Sequence, residues 1–97
     1  MIEIWQQDLP HGITLSCRAC GERGRPVLMF LHGFPESHRA WRHQVAHLSG
    51  RYRCIAPDQR GYGGSSKPAG VAHYATPLLV GDVFALADAL EITRFTL

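Results

Sequence analysis

The sequence predicts an α/β fold, with a mostly parallel sheet, an antiparallel hairpin at one edge and helices on both faces. Two observations lead to this prediction. An apolar run at 27–31, bounded by Pro26 and Gly33, and a short segment at 53–56, ended by Pro57, are typical of strands buried on both faces. A helical pattern follows each run, and strands that alternate with helices form parallel sheets.

The N-terminal third of the chain predicts the hairpin. Residues 2–6 alternate apolar and polar side chains, which is typical of a half-exposed strand. Residues 10–12 (Pro-His-Gly) supply the turn, and residues 13–19 form the returning strand. A polar loop with two glycines at 21–25 then leads into the first buried strand.

The first predicted helix follows the 27–31 strand. Trp41, Val45 and Leu48 recur at the spacing of one helical face. Ser37 is positioned to cap its N-terminus, and Gly50 to end it.

The second predicted helix follows a loop rich in turn-forming residues. Thr76 is its expected N-cap and Pro77 fits its first turn. Asp82 and Asp88 are expected off its apolar stripe, and residues 94–97 resemble the start of another strand. The stripe itself consists of Leu79, Val83, Leu86, Ala87 and Leu90.

Composition limits the possible functions. A length of 97 residues is within the range of a single small domain, nothing marks a domain boundary within 1–97, and 45% apolar with 19% charged residues is ordinary for a globular chain. A net charge of +2 argues against nucleic acid or an anionic membrane surface as a partner. The first residues lack a secretory signal, and no stretch approaches the roughly 20 apolar residues that span a bilayer. These features, with three cysteines, predict a cytoplasmic protein.

The motif His32-Gly33-Phe34-Pro35 directly follows the first buried strand. Ligands bind at this carboxyl end of the strands in open α/β sheets. Gly33 permits a sharp turn, and Pro35 restricts Phe34 to extended conformations that direct its N–H outward. A directed backbone N–H is what an oxyanion requires, so the motif predicts an oxyanion-binding corner.

A second motif covers the loop at 58–68, after the second buried strand. Asp58 could be a nucleophile or a general base, but bonding to nearby loop N–H groups is the favoured interpretation, with Arg60 fastening the loop. The loop lacks the spacing of a phosphate-binding P-loop. Neither Ser65 nor Ser66 lies in a G-x-S-x-G context, so neither is predicted to be a nucleophile.

Two further groups are interpreted as structural. Cys17 and Cys20 form a C-x-x-C, but positions three apart on a strand point to opposite faces, so no metal or redox site is predicted there. Cys54 fits a small core residue. His43 and His47 lie four apart on the first helix and lack a third ligand, which indicates a solvated face and no metal site.

The segments at 31–37, 41–42 and 56–68 resemble the α/β-hydrolase superfamily. The match is closest to the epoxide hydrolases, with haloacid and haloalkane dehalogenases as near relatives, and it covers essentially the whole chain. The resemblance implies the N-terminal half of an α/β-hydrolase fold, in which the backbone N–H of Phe34 is one oxyanion donor. It also implies substrate contacts at Phe34, Pro35 and His38, and often a cis bond before the proline. The residues that it implies organise these loops are His32, Gly33, Pro35, Asp58, Arg60, Gly61 and Gly63.

The resemblance further implies a reaction for the complete enzyme. A carboxylate attacks a small-molecule epoxide or related electrophile to give an ester, and water activated by a histidine hydrolyses that ester without a cofactor. The nucleophile (aspartate or serine), the acid and the histidine base would follow residue 97 in that order.

The chain alone is therefore expected to be inactive and marginally stable, with its strand at 94–97 and the flank of 27–31 unpartnered. Two alternatives stay open. One is a dehalogenase or serine esterase on the same fold, and the other is a non-catalytic interaction module.

Overall fold

The computed structural model describes residues 2–32 and 38–97, apart from the side chains of residues 38 and 39. The strands in this part of the chain are β1 (Glu3–Asp8), β2 (Thr14–Cys20), β3 (Val27–Met29) and β4 (Arg53–Pro57). The α-helices are α1 (Arg42–Leu48) and α2 (Thr76–Ala89), preceded by 3-10 turns at His38–Trp41 and Val71–Tyr74 respectively.

The strands form one mixed sheet in the order β1-β2-β4-β3. β1 and β2 are an antiparallel hairpin, with Glu3 opposite Ala19 and Asp8 opposite Thr14. β2 is also antiparallel to β4, whereas β3 and β4 are parallel neighbours. The predicted edge hairpin and the parallel pair of buried strands are both confirmed.

The last residues of the chain lie beside β3. Thr96 forms a parallel bridge with Leu28, the Met29 N–H donates to the Thr96 carbonyl at 2.8 Å, and the Thr96 N–H donates to the Val27 carbonyl at 3.0 Å. The prediction of a strand beginning at 94–97 is thus confirmed at Thr96. The expectation of an unpartnered flank on the 27–31 strand is wrong at this position, because the chain returns after α2 and pairs there.

The core lies between the sheet and one face of α2. Its buried cluster joins Leu15 and Cys17 of β2 with Met29 of β3 and with Val83 and Leu86 of α2. β4 is buried along its whole length, which explains the apolar residues that follow Arg53 in this strand. Burial of α2 against this sheet positions the loop that precedes the helix.

Several element boundaries differ from the sequence prediction. β1 extends to Asp8, because pairing with β2 continues to the turn. β3 ends at Met29 rather than at residue 31, although the Phe30 N–H still donates to the Ile55 carbonyl at 2.9 Å. The predicted cap Ser37 lies outside the described residues.

The two helices also depart from their predicted patterns. The stripe of α1 is only half-buried, so this helix covers its face of the sheet loosely. Thr76 is not the N-cap of α2 but its first helical residue. Ala75, in extended conformation, is the cap, because its carbonyl accepts from the N–H of Leu78 and of Leu79.

Candidate active-site corner

The carboxyl ends of β3 and β4 meet because the two strands are parallel neighbours. His32, just beyond β3, is 5% exposed, and its Nε2 accepts a hydrogen bond from the backbone N–H of Gln59 at 2.9 Å. The Gln59 side-chain amide donates in turn to the His32 carbonyl at 2.6 Å. Because Nε2 is an acceptor here, the proton of a neutral His32 ring lies on Nδ1. The two sequence motifs are therefore joined by a reciprocal pair of hydrogen bonds.

Aromatic side chains lie beside this pair of hydrogen bonds. The ring of Tyr62 meets that of His32 edge to face, with 4.9 Å between the ring centroids. Together they border a cavity of about 520 Å³. The other residues that line it are Gln59, Arg60, Gly61, Tyr74 and Leu79. A cavity of this kind, at the carboxyl end of parallel strands, is where ligands bind in open α/β sheets.

A larger cavity of about 830 Å³ lies at the opposite end of the sheet. Val27 and Arg53, the first residues of β3 and β4, line it. It faces the amino ends of the parallel strands, so its size does not make it the reaction site.

Asp58 is directed into its own loop. The residue is 1% exposed, it does not line the cavity of about 520 Å³, and its Oδ2 accepts from the Gly64 N–H at 3.3 Å. Gly63 has a φ of 52°, and a Cβ added to it would lie 2.1 Å from the same oxygen. The loop therefore closes around the Asp58 carboxylate only because residue 63 lacks a side chain.

Gly61 fulfils a similar requirement against the 3-10 turn. Its φ is 89°, and a Cβ there would lie 2.6 Å from the Tyr74 ring. The Tyr74 hydroxyl donates to the Pro68 carbonyl at 2.6 Å. The close contact between Gly61 and Tyr74 thus brings together the two ends of the segment that leads to α2.

Two serines attach the loop to β2. The Ser65 hydroxyl accepts from the Ser16 N–H at 2.8 Å and donates to the Asp58 carbonyl. The Ser66 hydroxyl accepts from the Thr14 N–H at 2.8 Å. Both hydroxyls are engaged with backbone, which gives them a structural environment unlike that of an exposed nucleophile.

Arg60 forms a buried ion pair with a residue of α2 that the sequence pattern did not indicate as its partner. Its Nε and Nη2 donate to the two carboxylate oxygens of Asp82 on α2, each at 2.6 Å, and its Nη1 donates to the His73 carbonyl at 2.9 Å. Hydrogen bonding to the Asp82 carboxylate raises the pKa of Arg60. The Nε2 of His11, in the hairpin turn, donates to Asp82 Oδ1 at 2.8 Å.

The expectation that Asp82 lies off the apolar stripe is wrong, because the residue is only 3% exposed. It stands three residues after Leu79 and four before Leu86, which places it on the buried face of α2. That spacing could have identified Asp82 as a buried residue from the sequence. Its bidentate partner, 22 positions away, had no signal in the sequence.

Part of the predicted corner lies outside the described residues. This holds for Gly33, Phe34, Pro35 and the bond before the proline, and for the side chain of His38. The oxyanion donor, the substrate contacts and the cis bond thus stay predictions.

The described residues contain no group of three His, Cys, Asp or Glu side chains that could hold a metal ion, and His43 and His47 are exposed. Burial raises the pKa of the Cys17 thiol to about 12, so this thiol is protonated at neutral pH and unsuited to nucleophilic attack. None of the described helices is long and apolar enough to cross a membrane.

Several known proteins are similar to this chain in sequence. A family model described as the alpha/beta hydrolase fold matches residues 26–97. Epoxide hydrolase A of Mycobacterium tuberculosis is 44% identical over 85 residues, which are 87% of this chain and 26% of that protein. Epoxide hydrolase 4 of Mus musculus is 40% identical over 86 residues, 89% of this chain and 24% of that protein. The chain thus spans about a quarter of the length of these curated relatives.

Solved structures share the fold. A protein described among novel epoxide hydrolases from metagenomes of hot environments superposes with a TM-score of 0.93 and 58% identity, over 98% of this chain and 32% of its own. Epoxide Hydrolase A from Mycobacterium thermoresistibile superposes with a TM-score of 0.92 and 36% identity, over 98% of this chain and 30% of its own. With the family model matching from the start of β3 onward, the chain belongs to the α/β-hydrolase fold family.

Proposed function

We propose that the chain is the N-terminal part of one catalytic domain of an epoxide hydrolase, with residues 1–97 forming the oxyanion side of the active site. The observation that carries this proposal is the 58% identity to an epoxide hydrolase over 98% of the chain, which includes the residues of the corner. The substrate is a small-molecule epoxide. Neither nucleic acid nor a membrane surface is a partner, the reaction needs no cofactor, and the protein acts in the cytoplasm.

The reaction has two steps. A carboxylate from beyond residue 97 attacks an epoxide carbon, the C–O bond breaks, and the epoxide oxygen takes up a proton to become the first hydroxyl of the product. The resulting ester is attacked at its carbonyl carbon by water, from which a histidine base removes a proton. The tetrahedral intermediate then collapses, its C–O bond to the product breaks, and the histidine returns its proton to the leaving oxygen, which releases the diol. The carboxyl group loses one proton to become the carboxylate again, which balances the proton that the epoxide oxygen took up.

The role of this chain lies in the second step. The negative charge on the tetrahedral oxygen is stabilised by backbone N–H groups, of which Phe34 supplies one and the residue after the nucleophile supplies the other. His32 holds the end of β3 against the Gln59 loop and so fixes the start of the segment that carries Phe34. Phe34, Pro35 and His38 contact the substrate.

An isotope experiment on the complete gene product tests this proposal. A single turnover of an epoxide in ¹⁸O-labelled water should give an unlabelled diol, because the second hydroxyl oxygen comes from the enzyme carboxylate. Label in the diol from the first turnover would contradict an ester intermediate. The 97-residue chain is the matched control, and we expect it to show no turnover.

The alternatives predict different outcomes in the same assay. Release of halide from a haloalkane without epoxide turnover would identify a dehalogenase, and ester cleavage through a serine adduct would identify an esterase. Absence of all three activities, together with a defined complex of a partner protein, would instead identify an interaction module. The comparisons favour none of these alternatives.

A further inference from the structure

Cys20 of β2 and Cys54 of β4 lie directly opposite each other in the antiparallel ladder. Opposed residues project to the same face of a sheet, so the two thiols are neighbours although 34 positions separate them in the sequence. All three cysteines are unbonded thiols. Cys17 is on the other face of β2, where it belongs to the core under α2.

The ladder pattern defines the spacing of this pair. The Asp58 N–H donates to the Ser16 carbonyl at 2.8 Å, and hydrogen-bonded pairs recur at every second position of an antiparallel ladder. Cys20 and Cys54 are therefore a hydrogen-bonded pair, for which the Cα atoms are about 5.5 Å apart. Disulfides span Cα separations of about 4.4–6.8 Å, so the backbone does not need to move far for a bond to form.

The backbone on either side of the pair is tightly packed. A Cβ on Gly21, whose φ is 96°, would lie 2.1 Å from the Tyr52 carbonyl oxygen. The Arg53 Nη1 donates to the Gly21 carbonyl at 2.9 Å. These contacts hold the end of β2 against the start of β4 and keep the two thiols opposite each other.

The two thiols differ in accessibility. Cys54 is 0% exposed, whereas Cys20 is half-buried and open to solvent on one side. Burial, and secondarily the neighbouring Cys20, raises the pKa of Cys54. Cys20 is thus the thiol that an external oxidant reaches first, and Cys54 is placed to react with it afterwards.

We propose that Cys20 and Cys54 are a peroxide-sensitive thiol pair that closes to a reversible disulfide between β2 and β4. The Cys20 thiolate attacks a peroxide oxygen, the O–O bond breaks, and a sulfenic acid and hydroxide form. The Cys54 sulfur then attacks the Cys20 sulfur, the S–O bond breaks, and hydroxide leaves as water with the thiol proton. Two thiols are oxidised by two electrons, and hydrogen peroxide is reduced to two molecules of water.

The geometry explains why the disulfide should be easily reduced. The Cβ atoms of opposed residues in a ladder are about 4.5–5.5 Å apart, with hydrogen-bonded pairs at the upper end of this range. A disulfide requires a Cβ separation of about 3.5–4.5 Å. Closure must therefore shorten the distance between the two Cβ atoms, which distorts the ladder locally although the Cα atoms are already within range. Strained disulfides have higher reduction potentials, and a small thiol should reopen this one.

Peptide mapping of the folded chain tests the proposal directly. Trypsin separates the three cysteines into the peptides 1–18, 19–23 and 54–60. After mild hydrogen peroxide treatment under native conditions, with free thiols then blocked, we expect the 19–23 and 54–60 peptides to be linked with the loss of two hydrogen atoms. Dithiothreitol should separate them, and the peptide 1–18 should carry the blocking group once the protein is unfolded.

Variants provide the controls. Cys17→Ser should form the same link, whereas Cys20→Ser and Cys54→Ala should form none. A link between peptides 1–18 and 19–23, a dimer joined through Cys20 alone, or sulfinic acid at Cys20 with Cys54 unmodified would overturn the proposal. Peptide mapping of the unsubstituted chain tests the proposed disulfide even if a variant fails to fold. The result does not depend on hydrolase activity.

Discussion

The ion pair between Arg60 and Asp82 provides the sharpest test of how the loop is held. Both side chains are almost fully buried, with 4% and 5% exposed, and the two hydrogen bonds between them are 2.6 Å long. Asp82→Ala would leave the Arg60 guanidinium buried without its counter-charge. Breaking a buried pair by removing one partner costs about 3–5 kcal/mol, because the remaining charge stays desolvated.

The size of this loss is large for a chain of 97 residues. Complete domains have an unfolding free energy of about 5–15 kcal/mol, and a chain that spans about a quarter of its relatives' length should lie at or below the low end of that range. At about 4–8 °C per kcal/mol, Asp82→Ala should lower the melting temperature by more than about 10 °C. Equilibrium unfolding in urea, followed by circular dichroism, gives the free energy directly.

Two further variants show whether the charge or the side chain as such is responsible. Asp88→Ala removes an exposed carboxylate from the same helix and should change the free energy of unfolding by less than about 0.5 kcal/mol. Arg60→Met combined with Asp82→Leu removes both charges and should recover most of the loss. A cost for Asp82→Ala of only about 1 kcal/mol, as for an exposed pair, would refute the reasoning. So would a double variant as unstable as the single one.

Three other predictions follow from the geometry. Gly63→Ala should lower the free energy of unfolding in urea by about 1–3 kcal/mol, because its Cβ would lie 2.1 Å from a carboxylate oxygen of Asp58. Gly24→Ala is the control, since Gly24 also has a positive φ but has open space around it, and this substitution should cost less. Equal costs for the two variants would contradict the steric argument. Hydrogen bonding to Arg53 lowers the pKa of Glu3 from 4.5 to about 2. The stability that this ion pair contributes is therefore complete above pH 4.5 and is lost as the pH falls through 2. Because the Glu3 side chain is 38% exposed, the loss should stay below about 1 kcal/mol, and Glu3→Gln should remove this part of the pH dependence of the melting temperature. In the complete enzyme, Phe34→Pro removes the proposed oxyanion N–H and should lower kcat about 10²–10³-fold. Phe34→Leu keeps the N–H and should lower kcat much less. Equal losses of kcat would exclude the backbone N–H of residue 34 as an oxyanion donor.

The order of strands and helices could be predicted from the sequence because it depends on local patterns of polar and apolar residues. Alternation of polar and apolar residues marks β1, a short apolar segment that ends at a proline marks β4, and helical spacing marks α2. Boundaries were less accurate, since they depend on pairing between strands. β1 continues to Asp8 only because Thr14 lies opposite it, which no pattern within residues 2–6 shows.

The environment of the site was less predictable, because its contacts join distant segments. The sequence marked Arg60 as a loop residue but gave no sign that a helix 22 positions later supplies its partner. Asp82 could have been recognised as buried from its spacing on α2, although its charge made the opposite interpretation more natural. Likewise, Cys20 and Cys54 become neighbours only through the register of β2 and β4.

The anchors of the 58–68 loop explain how such a corner can be rigid. Ser65 fastens the loop to β2, Arg60 fastens it to α2, and Gln59 fastens it to the end of β3 through His32. An N–H donor stabilises an oxyanion effectively only if it is fixed before the charge develops, because reorientation during the reaction would consume the gain. We therefore expect substitutions at these anchors in the complete enzyme to lower kcat, because they would loosen the corner that holds the N–H donor. Gln59→Ala is the cleanest case, since it removes the bond to the His32 carbonyl and leaves the backbone bond to its ring in place.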